Sequence, residues 1–292
     1  MEMRQLEYFV AVADEESFTA AAQRVHTTQP NISAQVRSLE RELGSALFDR
    51  SARSVRLTDA GQAALPAARA ALAAAREVAD AVSEVRGLLR GSLSVGMVEG
   101  CTIAPLFTAL GTFGSAHPKI ALSLRESPSD RLINSVVDGG LDVALAGYGD
   151  ELPRGIESLT VIAEPVVAVI PTDEEYGTSI GLADLRQRSL ICLPRGAGIR
   201  TVFDDAAVTH GGPIRPAIEA SSPDAIVELV CSGMGTGILS ASIAAADDRV
   251  AGLPVEGVDV RARLGFLWRT DPPPATRRFV DVARETFGLD TG

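Results

Sequence analysis

Lysine is almost missing from this sequence of 292 residues: of its 27 basic residues only Lys119 is a lysine, so arginine carries the positive charge. Acids outnumber bases, and the net charge of −11 excludes a histone-like or polyanion-coating role. Cysteine is scarce and odd in number, with only Cys101, Cys192 and Cys231. That argues against a disulfide framework and suits a reducing, cytoplasmic location. The three histidines, His26, His117 and His210, do not pair with Cys or Glu at ligand spacing, so no metal site is expected. No apolar run approaches the roughly 18 residues of a membrane span. The opening Met1-Glu2-Met3-Arg4-Gln5 leads into no apolar core, so it does not read as a signal peptide. Catalytic signatures are missing as well. There is no nucleophile elbow or phosphate loop, and Gly196-x-Gly198 lacks the rest of a dinucleotide fingerprint. Neither an enzyme nor a cofactor is expected. What remains is an ordinary globular composition, 46% hydrophobic and 22% charged, at a length that suits two or three domains.

The most informative stretch is Ser17 to Leu57. Phe18, Ala21, Ala22 and Val25 fall at i, i+3, i+4 and i+7, one face of a helix, with Ser17 placed to cap it. A second stripe, Ile32, Val36, Leu39 and Leu43, follows Thr28 as cap and Pro30 in the first turn, and Gly44 ends it. A short basic hairpin completes the unit. This is a winged helix-turn-helix, whose second helix enters the major groove of DNA. The stripes alone fit any small three-helix unit, but the charge favours DNA. From Ser17 to Arg56 six arginines face three acids, a net of +3 within an acidic chain. The candidate contacts are Ser17, Thr19, Thr28, Gln29, Pro30, Asn31, Ser33, Gln35 and Arg37, with Arg50 and Arg53 in the hairpin. Leu6, Phe9, Val10 and Ala13 form a covering helix.

From Thr58 to Leu89 alanines and valines recur at three- and four-residue steps (Ala60, Ala64, Ala68, Leu72, Ala75, Val78, Val82, Val85, Leu89), which reads as one long helix packed at close range. Pro66 predicts a kink near Ala63 to Leu65. Gly91 marks a boundary. Beyond it apolar strands alternate with helices: Leu93–Val98, Ile120–Arg125, Leu141–Ala146, Val161–Ile170, Leu190–Leu193, Ala217–Ala220, Gly237–Ser240 and Arg263–Arg269 read as strands. Such alternation points to parallel sheets wound on both faces. Ligands in such sheets sit at the carboxyl ends of strands, against helix N-termini. The residues there are Gly100, Cys101, Thr102, Ser127, Ser129, Gly147, Tyr148, Arg195, Gly196, Thr201 and Ser221, with Thr102, Ser127 and Arg195 leading. Hydroxyls and amides converging there suit a small anion, with charge from Arg195 and Arg200. Taken singly, each of these residues also fits a helix cap or a tight turn. Cys192 and Cys231 sit in apolar elements and suit structure better than thiol sensing.

Six segments in order, Met3-Arg4-Gln5-Leu6-Glu7-Tyr8-Phe9, Ser17-Phe18-Thr19-Ala20-Ala21-Ala22, Gln29-Pro30-x-x-Ser33, Leu39-Glu40-x-x-Leu43-Gly44, Leu47-Phe48-x-Arg50 and Leu57-Thr58-x-Ala60-Gly61, resemble the N-terminal domain of LysR-type transcriptional regulators. Ala34 departs from the arginine common there. The resemblance implies a winged helix-turn-helix over 1–58, a linker helix over 59–90 that pairs with its twin, and a bilobed effector domain over 91–292 resembling periplasmic binding proteins. Lobe I is expected over about 91–162 and 267–292, and lobe II over about 163–266. The chain would cross between the lobes near Val161–Glu164 and Leu264–Phe266. The implied partners are an inverted-repeat operator in double-stranded DNA, a small-molecule effector, further copies of the chain as homodimer or homotetramer, and RNA polymerase. A stand-alone solute binder of the same fold would leave Ser17 to Leu57 unexplained.

Overall fold

The structure is a computed structural model that describes residues 1–49, 55–85 and 91–289, without the side chains of residues 77 and 79–85. The chain divides into two compact units, one built mainly on the first four helices and one on the sheets that follow.

In the first unit, α1 (Met3–Glu15), α2 (Phe18–Arg24) and α3 (Gln29–Leu43) enclose a core of Phe9, Val12, Ala21, Ile32, Val36 and Leu39. Ser17 caps α2 as expected, its hydroxyl accepting from the Ala20 N–H at 3.3 Å. Thr28 sits before α3 in extended backbone, but its side chain makes no capping bond. Gly44 ends α3 at φ 69°, the left-handed conformation that a side chain resists. Leu43, the fourth residue of the predicted stripe, is 46% exposed, because the core ends at Leu39. A two-stranded ribbon, β1 (Phe48–Asp49) and β2 (Arg56–Leu57), pairs Phe48 with Leu57. The Glu40 carboxylate accepts from the Leu47 and Phe48 N–H groups and fastens this wing to α3.

The long helix α4 (Asp59–Val85) runs through Pro66. Its first half packs against its own chain. Ala64, Leu65, Ala68 and Leu72 join the core against α1, and Asp14 of α1 accepts from Arg69 at 2.6 Å and from Arg24 at 2.9 Å. Further along, Val78 is 68% exposed. The side chains of Val82, Val85 and Leu89 lie outside the described residues.

The second unit holds two sheets. The first contains β3 (Gly91–Val98), β4 (Ile120–Ser127), β5 (Val143–Tyr148) and β6 (Ile156–Glu164), with α5 (Ala104–Ala116) and α6 (Ser129–Val137) between them. The chain then builds β7 (Val166–Pro171), β8 (Ile180–Gly181), α7 (Leu182–Leu185), β9 (Leu190–Cys192), α8 (Gly198–Thr209), β10 (Ile218–Glu219), α9 (Pro223–Cys231), β11 (Thr236–Ser240), α10 (Ala241–Ala245) and β12 (Val250–Glu256). It returns through β13 (Ala262–Arg269) and ends in α11 (Pro274–Thr286). The first sheet has the order β4-β3-β5-β13-β6 and the second β10-β9-β11-β7-β12-β8. Both sheets are mixed, whereas the alternation of strands and helices suggested parallel ones. β13 runs antiparallel to β5 and β6, and β7 runs antiparallel to β11 and β12. The antiparallel strands flank the two crossings of the chain between sheets.

Side chains alternate across each sheet, so each buries both faces. On the first, Val95, Leu145, Phe266 and Trp268 meet Phe113 of α5 and Phe279 of α11, while Ala144, Ala146 and Leu267 meet Leu132 and Val136 of α6. On the second, Ala168 and Ile238 meet Phe203 of α8, while Val167, Val169 and Leu239 meet Ile226 and Val230 of α9. Phe266 is fully buried, edge-on to Phe279 at 5.9 Å and to Phe287 at 5.5 Å. Phe266→Ala should cost about 3–5 kcal/mol of stability in this lobe. The single tryptophan, Trp268, lies two residues along the same strand, so urea unfolding followed by its fluorescence reads that lobe directly.

Candidate DNA-reading helix and interlobe cleft

The helix-turn-helix presents one face of α3 to solvent. Gln29, Pro30, Ala34 and Arg37 are exposed, and Ser33 and Gln35 are half-buried beside them. Thr19 and Thr28 are exposed as well, and Ser17 is spent on its cap. Asn31 is partly committed: its side-chain amide donates to the Thr27 hydroxyl at 2.8 Å and to the Tyr8 hydroxyl at 3.4 Å, tying α3 to α1. The N-terminal half of this face therefore carries neutral donors and acceptors, and Arg37 and Arg41 add charge toward its C-terminal end. Such a layout fits base edges met by amides and phosphates met by guanidinium groups. Arg50 and Arg53 lie outside the described residues.

In the second unit, a cavity of about 700 Å³ opens between the two sheets. Gly100, Cys101, Thr102, Ser129, Gly147, Arg195 and Ser221 line it. Four expected residues do not. Ser127 ends strand β4; the buried Tyr148 turns its hydroxyl to Thr160 at 2.7 Å; Thr201 bonds back to the Ala197 carbonyl at 3.2 Å; and Gly196 sits at φ 93° against Asp130. Ser129 is itself occupied, accepting from the Gly147 N–H at 3.0 Å.

Arg200 does not supply charge to the cleft. It is 2% exposed and donates to Asp204 at 2.8 Å, Glu219 at 2.9 Å and the Leu193 carbonyl at 3.0 Å. Residues absent from the sequence reading line the cavity too, among them Glu164, Ser240, Ser242 and Arg263. Glu164 and Arg263 sit beside the two crossings between the sheets, the second of which lies between Glu256 and Ala262 rather than at Leu264–Phe266, and Ser240 and Ser242 come from the end of β11 and from α10. Glu164 accepts from the Ser242 N–H and hydroxyl at 2.7 Å each, and Arg263 pairs with Asp150 and the Gly149 carbonyl. Arg249 pairs with Glu228 at 2.6 Å and Asp247 at 2.7 Å, and its hydrogen bonds hold the Asp247 carboxyl down at about 2. The side chains of Arg195, Glu99 and Asp224 make no hydrogen bond or ion pair with a described residue, so they are lining charges left for a ligand. The helix α8 begins at the cleft without a side-chain cap, and its first residues, Gly198 and Ile199, line the cavity, whereas in α5 Pro105 has no N–H and the Leu106 N–H donates to the Ile103 carbonyl at 3.0 Å.

Burial pushes the Cys101 thiol up and the Cys192 thiol up to about 12, with Arg200 opposing the latter shift. Cys192 therefore stays a neutral thiol at physiological pH. Iodoacetamide at pH 8 should leave it unmodified in the folded protein and alkylate it after denaturation, as read by peptide mass spectrometry. The sign for stability follows: the contribution is intact below the ordinary thiol value near 9 and is lost as pH climbs toward 12.

Two protein families match the chain. The one described as the LysR substrate binding domain covers residues 86–288, and the bacterial regulatory helix-turn-helix protein, lysR family, covers residues 3–62. The transcriptional regulator TcbR of a Pseudomonas species is 32% identical over 98% of this chain and 99% of its own. The regulator ShiR of Corynebacterium glutamicum is 31% identical over 98% of this chain and 99% of its own. Among solved structures, a full-length OxyR variant from Pseudomonas aeruginosa superposes with a TM-score of 0.68 at 26% identity, covering 100% of this chain and 96% of that one. Full-length CbnR in complex with its target DNA gives 0.55 at 31% identity, covering 98% and 100%.

Proposed function

We propose a mechanism from the premise that this chain belongs to the LysR family: α3 reads the operator and an effector between the two lobes controls it. The chain is a DNA-binding transcriptional regulator with an effector-binding domain, from a family of regulators rather than enzymes. The observation that carries the mechanism is the exposed face of α3, amides first and arginines after, in a chain of net charge −11. Gln29, Ser33 and Gln35 take base edges, while Arg37, with Arg50 and Arg53 of the wing, takes phosphates. CbnR has been solved with its target DNA, which supports the same use of the matching domain here.

Three parts share the work in this reading: a DNA-binding domain over 1–58, a linker helix over 59–90 and an effector domain over 91–292. The exposed Val78 of α4 supports pairing with a second copy into a homodimer or homotetramer. Paired winged helices then meet half-sites of an inverted repeat, one or more helical turns apart. A cytoplasmic setting and contact with RNA polymerase complete the proposal.

The effector carries an acidic group. Arg195 and the uncapped N-terminus of α8 support that choice, because both attract a carboxylate. Glu99 and Asp224 suit hydrogen-bond donors elsewhere on the same molecule. Control requires that the effector bind two arrangements of the lobes unequally.

Replacing Arg37 by Ala should weaken binding to all sequences and lower the slope of log affinity against log salt by about 1. Titration of a footprinted site between 50 and 200 mM salt measures this, and an unchanged slope would remove Arg37 from the phosphate contacts. Arg195→Ala should leave operator binding intact and abolish the response to acidic effectors. A reporter gene that is still regulated by such a compound would remove Arg195 from the site.

A further inference from the structure

Beside the cleft the lobes come backbone to backbone at Gly147 and Gly198. Gly147 is the next-to-last residue of β5 in the first sheet, and Gly198 opens α8 of the second lobe. A side chain added at Gly198 would put its Cβ 2.5 Å from the Gly147 carbonyl carbon, 2.7 Å from its Cα and 2.8 Å from the Tyr148 nitrogen. One added at Gly147 would stand 3.1 Å from the Gly198 Cα. Neither glycine has a positive φ, so backbone conformation does not demand glycine at either position. What excludes a side chain is the closeness of the other lobe.

This contact is fastened on both sides. The Asp130 N–H of the first lobe donates to the Gly196 carbonyl of the second at 3.1 Å. Within the first lobe, Ser129 accepts from the Gly147 N–H at 3.0 Å and holds the start of α6 to the end of β5. A second approach between lobes that flanks the cleft is looser. A Cβ at Gly100 would stand 3.9 Å from the Ser222 Cβ, an ordinary contact.

The two approaches differ in leverage. The chain crosses between lobes beside β6 and β13, and β5 is the neighbour of β13, with β3 one strand further out. At roughly 4.8 Å per strand, a rotation about the crossings moves the Gly100 edge about twice as far as the Gly147 edge. Packed backbone does not compress, so the lobes bear on this inner contact together with the crossings when they turn.

We propose that Gly147 and Gly198 are positioning residues whose contact is the pivot setting the angle between the lobes. Both line the cavity, so a ligand rests against the pivot itself. The role of this angle in gene control rests on the effector reading above, but the geometry of the pivot does not.

The test uses the full-length protein with Gly198→Ala, Gly147→Ala and, as control, Gly111→Ala in α5, where nothing lies within 4 Å. Spin labels at Phe107→Cys on α5 and Met234→Cys after α9, both exposed positions, report the separation of the lobes by pulsed dipolar spectroscopy. The three native cysteines are changed to Ser, and labelled protein is diluted with unlabelled protein. Gly198→Ala should lengthen the distance by about 1 Å or more, the amount needed to bring a 2.5 Å approach to ordinary contact. Gly147→Ala should lengthen it less, and Gly111→Ala should leave it unchanged. Folded Gly198→Ala protein with the parental distance would overturn the pivot. If Gly198→Ala does not fold, an unshifted distance in Gly147→Ala does so instead. A shifted distance with an unaltered operator footprint would keep the pivot and sink the effector reading.

Discussion

The chain passes between its two sheets twice, at Pro165 and between Glu256 and Ala262, and the cleft follows from that constraint. A chain that crossed once would leave two lobes on a single tether. Crossing twice lays β6 and β13 side by side, with register maintained from Ile156 to Glu164 apart from one irregularity at Leu264/Gly265. The lobes are thus joined by paired strands at the back and meet again at the glycines of β5 and α8. Strand ends and helix starts from both sheets converge on the space between. Ligand groups placed there contact both lobes at once, which is what a binding event needs in order to alter their relation.

Charge divides the molecule in a second way. Almost all cations are arginine, which pairs in fixed planar geometry and is never deprotonated. In the effector domain arginines are mostly spent on carboxylates and carbonyls: Arg200 on Asp204, Glu219 and Leu193, Arg186 on the carbonyls that end α8, and Arg249 on Glu228 and Asp247. On α3, Arg37 remains available to phosphate. On the function proposed above, an acidic body with a local cluster of arginines keeps non-specific attraction to DNA weak and leaves discrimination among sites to the amides of α3.

How much could be read from the sequence differed by kind of feature. Helix stripes were legible because burial repeats every 3.6 residues. Thus Ile32, Val36 and Leu39 were placed correctly, and only Leu43, at the edge of the core, was not. Cleft loops were legible as strand ends, which located Gly100, Thr102 and Arg195. The strand β12 was missed because Gly252 and Pro254 interrupt its apolar pattern. Arg200 was misread, although its i+4 spacing to Asp204 hinted at an internal pair. The contact of Gly147 with Gly198 left no local signal, because each glycine answers to backbone fifty residues away. The recruitment of Ala64, Ala68 and Leu72 to the core of the first unit was equally hidden, since an alanine stripe does not say which chain covers it.

Everything said of the lobes matters to gene control only if the first unit selects particular DNA. Genome-wide footprinting of the native protein in its own cells measures that selection without a known effector. The account predicts a small set of discrete sites, each with two related half-sites one or more helical turns apart. Coverage no different from that of a variant lacking residues 1–58, or spread evenly over the genome, would contradict it.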